Sequence, residues 1–171
     1  MRTTLALPFL ALLAVGCGSS TVAAPTTTGA PKATIQAPSP GLPKVSGAPN
    51  ALPVLDIPKS DPPAKLAISV ITPGTGAEVK AGQKIKVQYL GEIWATSAKF
   101  DASWDRGQPI EFGIGTHQVI AGWDEGLVGQ KIGSRVLLVI PPDKGYGAKG
   151  YPPVIKGTDT LVFVVDIIDS K

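Results

Sequence analysis

The sequence predicts an α+β fold, in which an antiparallel sheet packs against one short helix and an unstructured linker precedes the domain. Three observations lead to this fold class. Short segments rich in β-branched residues recur after residue 65, only residues near 118–128 can form a helix, and ten of the 17 prolines lie between residues 18 and 64. The first two are typical of a sheet with a helix on one face. The third indicates a stretch that cannot build a packed core.

Four segments are predicted to be strands. LAISVI (66–71) is a short β-branched run that ends at the turn sequence TPGTG (72–76). KIKVQYLG (84–91) alternates apolar and polar residues, which is typical of an antiparallel strand with one buried face. SRVLLVIPP (134–142) and TLVFVVDII (160–168) are almost continuously apolar, so both are expected to be covered more heavily.

The predicted helix lies near residues 118–128. Asp124 and Glu125 fall in its first turn, where the helix dipole favours negative charge, and Gly129 can end it. The chain from residue 65 onward is long enough for one hydrophobic core. The strands and the helix are therefore placed in a single domain that spans residues 65–171.

Residues 1–16 are predicted to be a signal peptide of the lipoprotein type. The apolar run LALPFLALLAV (5–15) follows Arg2 and is too short to span a bilayer, which takes about 20 residues. It ends at Cys17, the only cysteine in the chain. This pattern resembles the bacterial lipoprotein signal, in which the cysteine is acylated. An ordinary signal peptide with an incidental cysteine is the alternative.

Residues 17–64 are interpreted as the acylated cysteine followed by a disordered linker rich in proline, alanine and threonine. Proline fixes φ and removes a backbone donor, and the segment has no sustained apolar period. A solvated coil or polyproline II chain is therefore expected. Docking of VLDIP (54–58) on the domain is the alternative.

Charge and cysteine content exclude several function classes. The net charge of +3 is spread along the chain without a basic run, which argues against an electrostatic nucleic-acid binder. A domain without cysteine has no disulfide, thiolate nucleophile or cysteine metal site. The only histidine, His117, is expected at the surface, and Ser103 has no neighbouring base that the sequence identifies.

Five segments, in their order and spacing, resemble the FKBP-type peptidyl-prolyl cis–trans isomerases. They are VQYLG, KFDASWDRGQPIEF, QVIAGWDEGLVGQKIGSR, IPPDKGYGAKG and TLVFVVDII, and they cover roughly residues 66–169. The resemblance implies a five-stranded antiparallel sheet wrapped around one short helix, with an apolar pocket between them. It also implies binding of proline-containing polypeptides and of macrolides such as tacrolimus or rapamycin, without a cofactor or metal.

The same resemblance assigns roles to individual residues, beginning with Trp123, whose indole would form the pocket floor under a proline ring. Catalytic roles fall on Asp101, Tyr146, Ile120 and Trp123. Substrate contacts fall on Tyr89, Phe100, Phe112, Val119, Ile155 and Phe163. Asp101 is expected to pair with Arg106, while the Tyr146 hydroxyl and the Ile120 backbone N–H hold the peptide carbonyls. Each aromatic residue, taken alone, could equally be part of the core.

Four residues depart from the family pattern and are expected on the rim of the pocket. Ile110 replaces an aromatic residue that many members carry, and Lys144 and Tyr151 replace a tyrosine and a histidine that are common in eukaryotic members. Trp94 lies in a turn that is one residue longer than in the small eukaryotic members. These departures bear on substrate preference and drug affinity.

The sequence therefore predicts a monomeric isomerase that acts on X–Pro bonds of exported proteins. Lipid on Cys17 would hold it outside the cytoplasm at the bacterial cell membrane, with proline-containing polypeptides as partners and no role for nucleic acid. The alternative is a non-catalytic module that binds proline-containing chains at the cell surface, where the rim residues decide which chains are held.

Overall fold

The structure is a computed structural model that describes residues 41–171. Its six longer strands form one antiparallel sheet. They are β3 (Ala67–Thr72), β4 (Lys84–Ile93), β5 (Ala98–Ala102), β6 (Ile110–Gly113), β7 (Arg135–Ile140) and β8 (Leu161–Ser170). Their order is β3-β7-β8-β4, and β5 and β6 both pair with the outer edge of β4. Within residues 41–171, no helix is long and apolar enough to cross a bilayer.

The edge strand beside β4 is divided into two pieces, β5 and β6. The six strands therefore fill the five positions that were predicted. β5 pairs with residues 90–93 of β4, and β6 pairs with residues 84–87. Between the two pieces the chain leaves the sheet through a 3-10 turn at Ser103–Arg106. The hydroxyl of the fully buried Ser103 accepts the backbone N–H of Tyr89 at 2.8 Å. The side chain thus replaces a ladder bond that the interrupted strand would otherwise supply.

The one α-helix of the described residues, α1 (Ala121–Leu127), is shorter than the predicted segment and packs closely on the sheet. Two glycines one turn apart permit this approach. A Cβ atom on Gly122 would lie 2.6 Å from the Ile140 side chain, and one on Gly126 would lie 2.6 Å from the Leu138 side chain. Both contacts are closer than packed side chains allow, so the GWDEG sequence sets the distance between α1 and β7.

Asp124 lies in the first turn of α1, as predicted, but its carboxylate bonds to the preceding loop. It is 8% exposed and accepts the backbone N–H groups of Gly115 at 2.7 Å and His117 at 2.9 Å. These bonds hold the loop that leads into the helix. His117 itself is 94% exposed, in agreement with its predicted surface position.

The hydrophobic core lies between α1 and the inner face of the sheet. Ile85, Val87 and Tyr89 of β4 are buried there, while Lys84 and Lys86 on the opposite side are exposed. This confirms the alternation read from the sequence. β7 and the first seven residues of β8 are buried at every position, so these two strands are covered on both faces.

The second cover comes from the N-terminal segment, and the predicted linker does not hold for residues 41–64. β1 (Lys44–Ser46) and β2 (Val54–Asp56) form an antiparallel hairpin. Val45 and Leu55 are its partly buried residues, and they pack on the outer face of the sheet. The covered residues are Trp94, Leu137, Val139, Val162 and Val164. We call residues 41–60 the strap.

Polar bonds explain why a proline-rich segment is held in place here. The strap supplies backbone groups to a buried ion pair on β7 and β8, and its Ser60 carbonyl accepts the indole N–H of Trp94 at 2.9 Å. Trp94 is 5% exposed on the outer face, so its predicted place on the pocket rim is wrong. The predicted signal peptide (1–16), Cys17 and the linker up to residue 40 lie outside the described residues.

Candidate active site

A cavity of about 400 Å³ opens between the start of α1 and the inner face of the sheet. Eight of the ten predicted pocket residues line it. They are Tyr89, Phe100, Asp101, Val119, Ile120, Trp123, Tyr146 and Phe163. Ile110, which was expected at the rim, also lines the cavity. Most of the lining is aromatic or aliphatic, and Asp101 is the one carboxylate in it.

Trp123 forms the base of the cavity from the first turn of α1. Its ring lies 5.2 Å, centroid to centroid, from those of Tyr89, Phe112 and Phe163. Tyr89 and Phe163 meet it edge to face, at 79° and 85°, the arrangement that aromatic quadrupoles favour. The indole is 4% exposed, and its Nε1 is buried without a hydrogen-bond partner among residues 41–171. The floor is therefore an aromatic ring held in place by three neighbouring rings.

Phe163 and Phe100 form one wall, and a glycine makes room for them. Their rings meet edge to face at 5.4 Å and 87°. Across the sheet, Gly91 pairs with Phe163. A Cβ atom at Gly91 would lie 2.6 Å from the Phe100 ring and 2.9 Å from the Phe163 ring. Gly91, the glycine of the VQYLG segment, has no side chain because the two aromatic rings occupy that space.

A polar wall is formed by Tyr89, Asp101 and Arg106. The resemblance implied the pairing of Asp101 with Arg106, and the structure adds the Tyr89 hydroxyl to it. Arg106 Nη1 donates to Asp101 at 2.6 Å and Nη2 donates to the Tyr89 hydroxyl at 2.7 Å. The Tyr89 hydroxyl in turn donates to Asp101. Burial raises the pKa of Tyr89 to about 12, with a further contribution from the Asp101 carboxylate. Burial also raises the pKa of Asp101, but the bonds from Tyr89 and Arg106 outweigh it and leave that pKa below its usual value.

Two donors at the edge of the cavity have no acceptor in the described part of the chain. The Tyr146 side chain is 39% exposed, its ring contacts Tyr151 at 5.7 Å, and its hydroxyl makes no hydrogen bond within residues 41–171. The Ile120 backbone N–H precedes the first turn of α1, where helix geometry leaves donors unpaired, and it also has none. Burial, followed by the charges of Asp101 and Tyr151, raises the pKa of Tyr146. Its hydroxyl therefore stays protonated and able to donate.

Phe112 and Ile155 were predicted to contact the substrate, but neither of them lines the cavity. Phe112 lies on β6 and packs against Trp123, which places it behind the floor. Ile155 is 4% exposed in the core, where its backbone exchanges hydrogen bonds of 2.8 and 3.0 Å with Tyr151. Both residues support the lining instead of forming it.

Gln118 lines the cavity and was missed by the sequence analysis. Its side-chain carbonyl accepts the backbone N–H of Gly113 at 3.0 Å, which ties the loop before α1 to the end of β6. An amide residue in a loop carries no sequence signal of such a role. Only the fold brings it to the cavity.

The two remaining rim residues lie on the segment that carries Tyr146. Lys144 pairs with Glu125 of α1 at 2.6 Å, and Tyr151 is 63% exposed beside the Tyr146 ring. In residues 41–171, no group of three His, Cys, Asp or Glu side chains is placed to hold a metal ion.

The fold and the cavity define a class of protein: an α+β domain whose sheet and short helix form a mainly aromatic and aliphatic site with unpaired donors at its edge. The family model of the FKBP-type peptidyl-prolyl cis-trans isomerases matches residues 76–168. The chain belongs to this family, which confirms the predicted enzyme class and fold.

Individual relatives agree with this assignment. The chain is 44% identical over 117 residues to an FK506-binding protein of Streptomyces anulatus, covering 68% of this chain and 94% of the relative. It is 44% identical over 98 residues to FK506-binding protein 1A of Aspergillus fumigatus, covering 57% and 87%. The crystal structure of AtFKBP13 is similar with a TM-score of 0.59 and 32% identity, covering 64% of this chain and 96% of that one.

Proposed function

We propose that the domain accelerates rotation about X–Pro peptide bonds by binding the twisted amide in the aromatic cavity. The observation that carries this proposal is the combination of an aromatic floor, formed by Trp123, with two unpaired donors at the edge, Tyr146 and Ile120. In this proposal the proline ring lies on the floor of the 400 Å³ cavity, and the adjoining carbonyls accept from the two donors.

Amide resonance explains why such a cavity is sufficient. The X–Pro bond is held planar by a barrier of about 18–20 kcal/mol, and uncatalysed exchange takes about tens to hundreds of seconds. Twisting the bond removes resonance, so the carbonyl becomes less dipolar and depends less on water. A site that excludes water therefore binds the twisted state better than the planar one. A rate gain of about 10⁴ requires about 5.5 kcal/mol of this difference, and no covalent step.

The direct test is an assay of cis–trans exchange on X–Pro peptides, followed by NMR without a coupled protease. Acceleration over solvent supports the proposal. Binding of the peptides without acceleration would instead favour the non-catalytic module. Because relatives carry the name FK506-binding protein, we also propose that the cavity binds this class of macrolide, which a titration with FK506 tests.

Replacing Tyr146 by phenylalanine is expected to lower kcat/KM several-fold, by about 1 kcal/mol, because one neutral hydrogen bond to the substrate is lost. Tyr151→Phe is the matched control, since it removes a neighbouring exposed hydroxyl and keeps the ring beside Tyr146, and it should lower kcat/KM less than Tyr146→Phe does. Since the pKa of Tyr146 is raised above an ordinary value of about 10, wild-type kcat/KM should stay flat up to about pH 9. If the Tyr146→Phe variant keeps the wild-type kcat/KM, the Tyr146 hydroxyl has no part in the mechanism.

We further propose that the enzyme acts on exported proteins while held to the outer side of a bacterial membrane through Cys17. The support is the apolar run 5–15 ending at the only cysteine of the chain. Two or more acyl chains anchor a protein stably, whereas one binds only marginally. When the full chain is expressed in a bacterium and partitioned with detergent, it should enter the detergent phase, and Cys17→Ser should not. Equal partitioning of both would contradict the anchor.

A further inference from the structure

The strap covers the back of the strands that carry one wall of the cavity. On β8, Val162 and Val164 face the strap, while Phe163 between them faces the cavity. On β7, Leu137 likewise faces the strap, and its neighbour Leu138 pairs with Phe163 in the core. Neither strand has a free face up to Ile167, so the position of Phe163 depends on packing from both sides.

A buried ion pair fixes the strap at a defined place on these strands. Arg135 on β7 and Asp166 on β8 stand opposite each other and are joined at 2.6 Å, with both side chains almost wholly buried. The strap completes their bonding. Arg135 donates to the carbonyls of Gly47 at 3.0 Å and Ala51 at 2.7 Å, and Asp166 accepts the backbone N–H of Asn50 at 2.8 Å. These directional bonds allow one register of the strap, which apolar contact alone would not.

We propose that the strap is a positioning element of the isomerase, which holds β8 from behind so that Phe163 keeps its place beside Trp123. This inference rests on the proposed function. Phe163 lies 5.2 Å from Trp123 and 5.4 Å from Phe100, so a shift of β8 changes the shape of the cavity. Protein interiors are close-packed and transmit such shifts, and displacements of about 1 Å at a binding site lower rates strongly.

The test compares two neighbouring residues of β2 in the full chain. Leu55 packs on the outer face of the sheet, whereas Val54 is 65% exposed. Leu55→Ser, alone and combined with Val45→Ser, should release the strap, seen as lost hydrogen-exchange protection of the β1 and β2 amides. At temperatures where circular dichroism shows a folded domain, kcat/KM should fall by about tenfold. Val54→Ser should match the wild type in both amide protection and kcat/KM. Leu55→Met, which keeps an apolar side chain at this position, should have the activity that Leu55→Ser loses.

The outcomes separate this proposal from the proposed function. A wild-type chain that does not accelerate exchange counts against the isomerase itself. An active wild type together with a released strap and unchanged kcat/KM would overturn the positioning role, because the strap would then only stabilise the fold. A double variant that loses activity while the protection is retained would overturn it as well, because the loss would not come from release of the strap. If the double variant does not fold, Leu55→Ala replaces it with the same readouts.

Discussion

The Trp123→Ala enzyme is expected to lose at least about 100-fold in kcat/KM, the largest effect of any single change in the cavity. The indole forms the floor, and its loss removes about 3 kcal/mol of apolar contact with the bound ring. It also admits water to the place where the twisted amide is bound. The measurement is the protease-free exchange assay, with the folded fraction checked at the assay temperature.

This experiment needs a control for stability, because truncating a buried tryptophan also destabilises the fold by about 3–5 kcal/mol. Leu127 provides it. It lies on the same helix, is fully buried, and does not line the cavity. Leu127→Ala should cost a comparable amount of stability and leave kcat/KM near the wild-type value where the domain is folded. Equal losses of activity in both variants would mean that Trp123 acts only through stability.

The strand pattern could be predicted because burial on one or both faces leaves a direct trace in the sequence. Alternation in KIKVQYLG identified the buried face of β4. The continuous apolar runs of β7 and β8 indicated heavier cover, and both strands are indeed buried on two faces. The source of that cover was named only as the alternative, the docking of VLDIP (54–58), and Leu55 and Ile57 of that segment do pack on the outer face. The strap has only short apolar alternations between its prolines, and its docking depends on backbone groups that a sequence does not display.

The same distinction applies to the cavity. Trp123, Tyr89 and Phe163 were predicted through their motif positions, and the fold brings their rings together. Phe112 and Ile155 belong to the same motifs, but whether a side chain forms the lining or supports it depends on local backbone direction. Trp94 was placed wrongly although alternation gives its face. It follows Ile93, which faces the core, so it lies on the outer face of the sheet, where its indole N–H donates to the Ser60 carbonyl of the strap.

A substitution in the buried pair of Arg135 and Asp166 should lower the stability of the fold as strongly as the loss of a large core side chain. Arg135→Met leaves the Asp166 carboxylate buried without its cation, and it leaves the Gly47 and Ala51 carbonyls without their donor. Breaking a buried pair in this way destabilises by about 3–5 kcal/mol, a large share of the 5–15 kcal/mol that is typical of a whole domain. Denaturant unfolding of the wild type and the variant measures this loss.

A surface pair and a double variant show whether burial is the cause. Lys99 and Asp105 form a 2.7 Å pair with side chains 46% and 51% exposed, so Lys99→Met should destabilise by less than about 1 kcal/mol. Adding Asp166→Leu to Arg135→Met removes the uncompensated charge and should recover part of the loss, because the penalty comes mainly from the stranded carboxylate. If Arg135→Met were as mild as Lys99→Met, the ion pair would not be what holds the strap to the sheet. The strap would then be attached by its apolar contacts alone. In that case Leu55→Ser by itself should remove the hydrogen-exchange protection of the β1 and β2 amides.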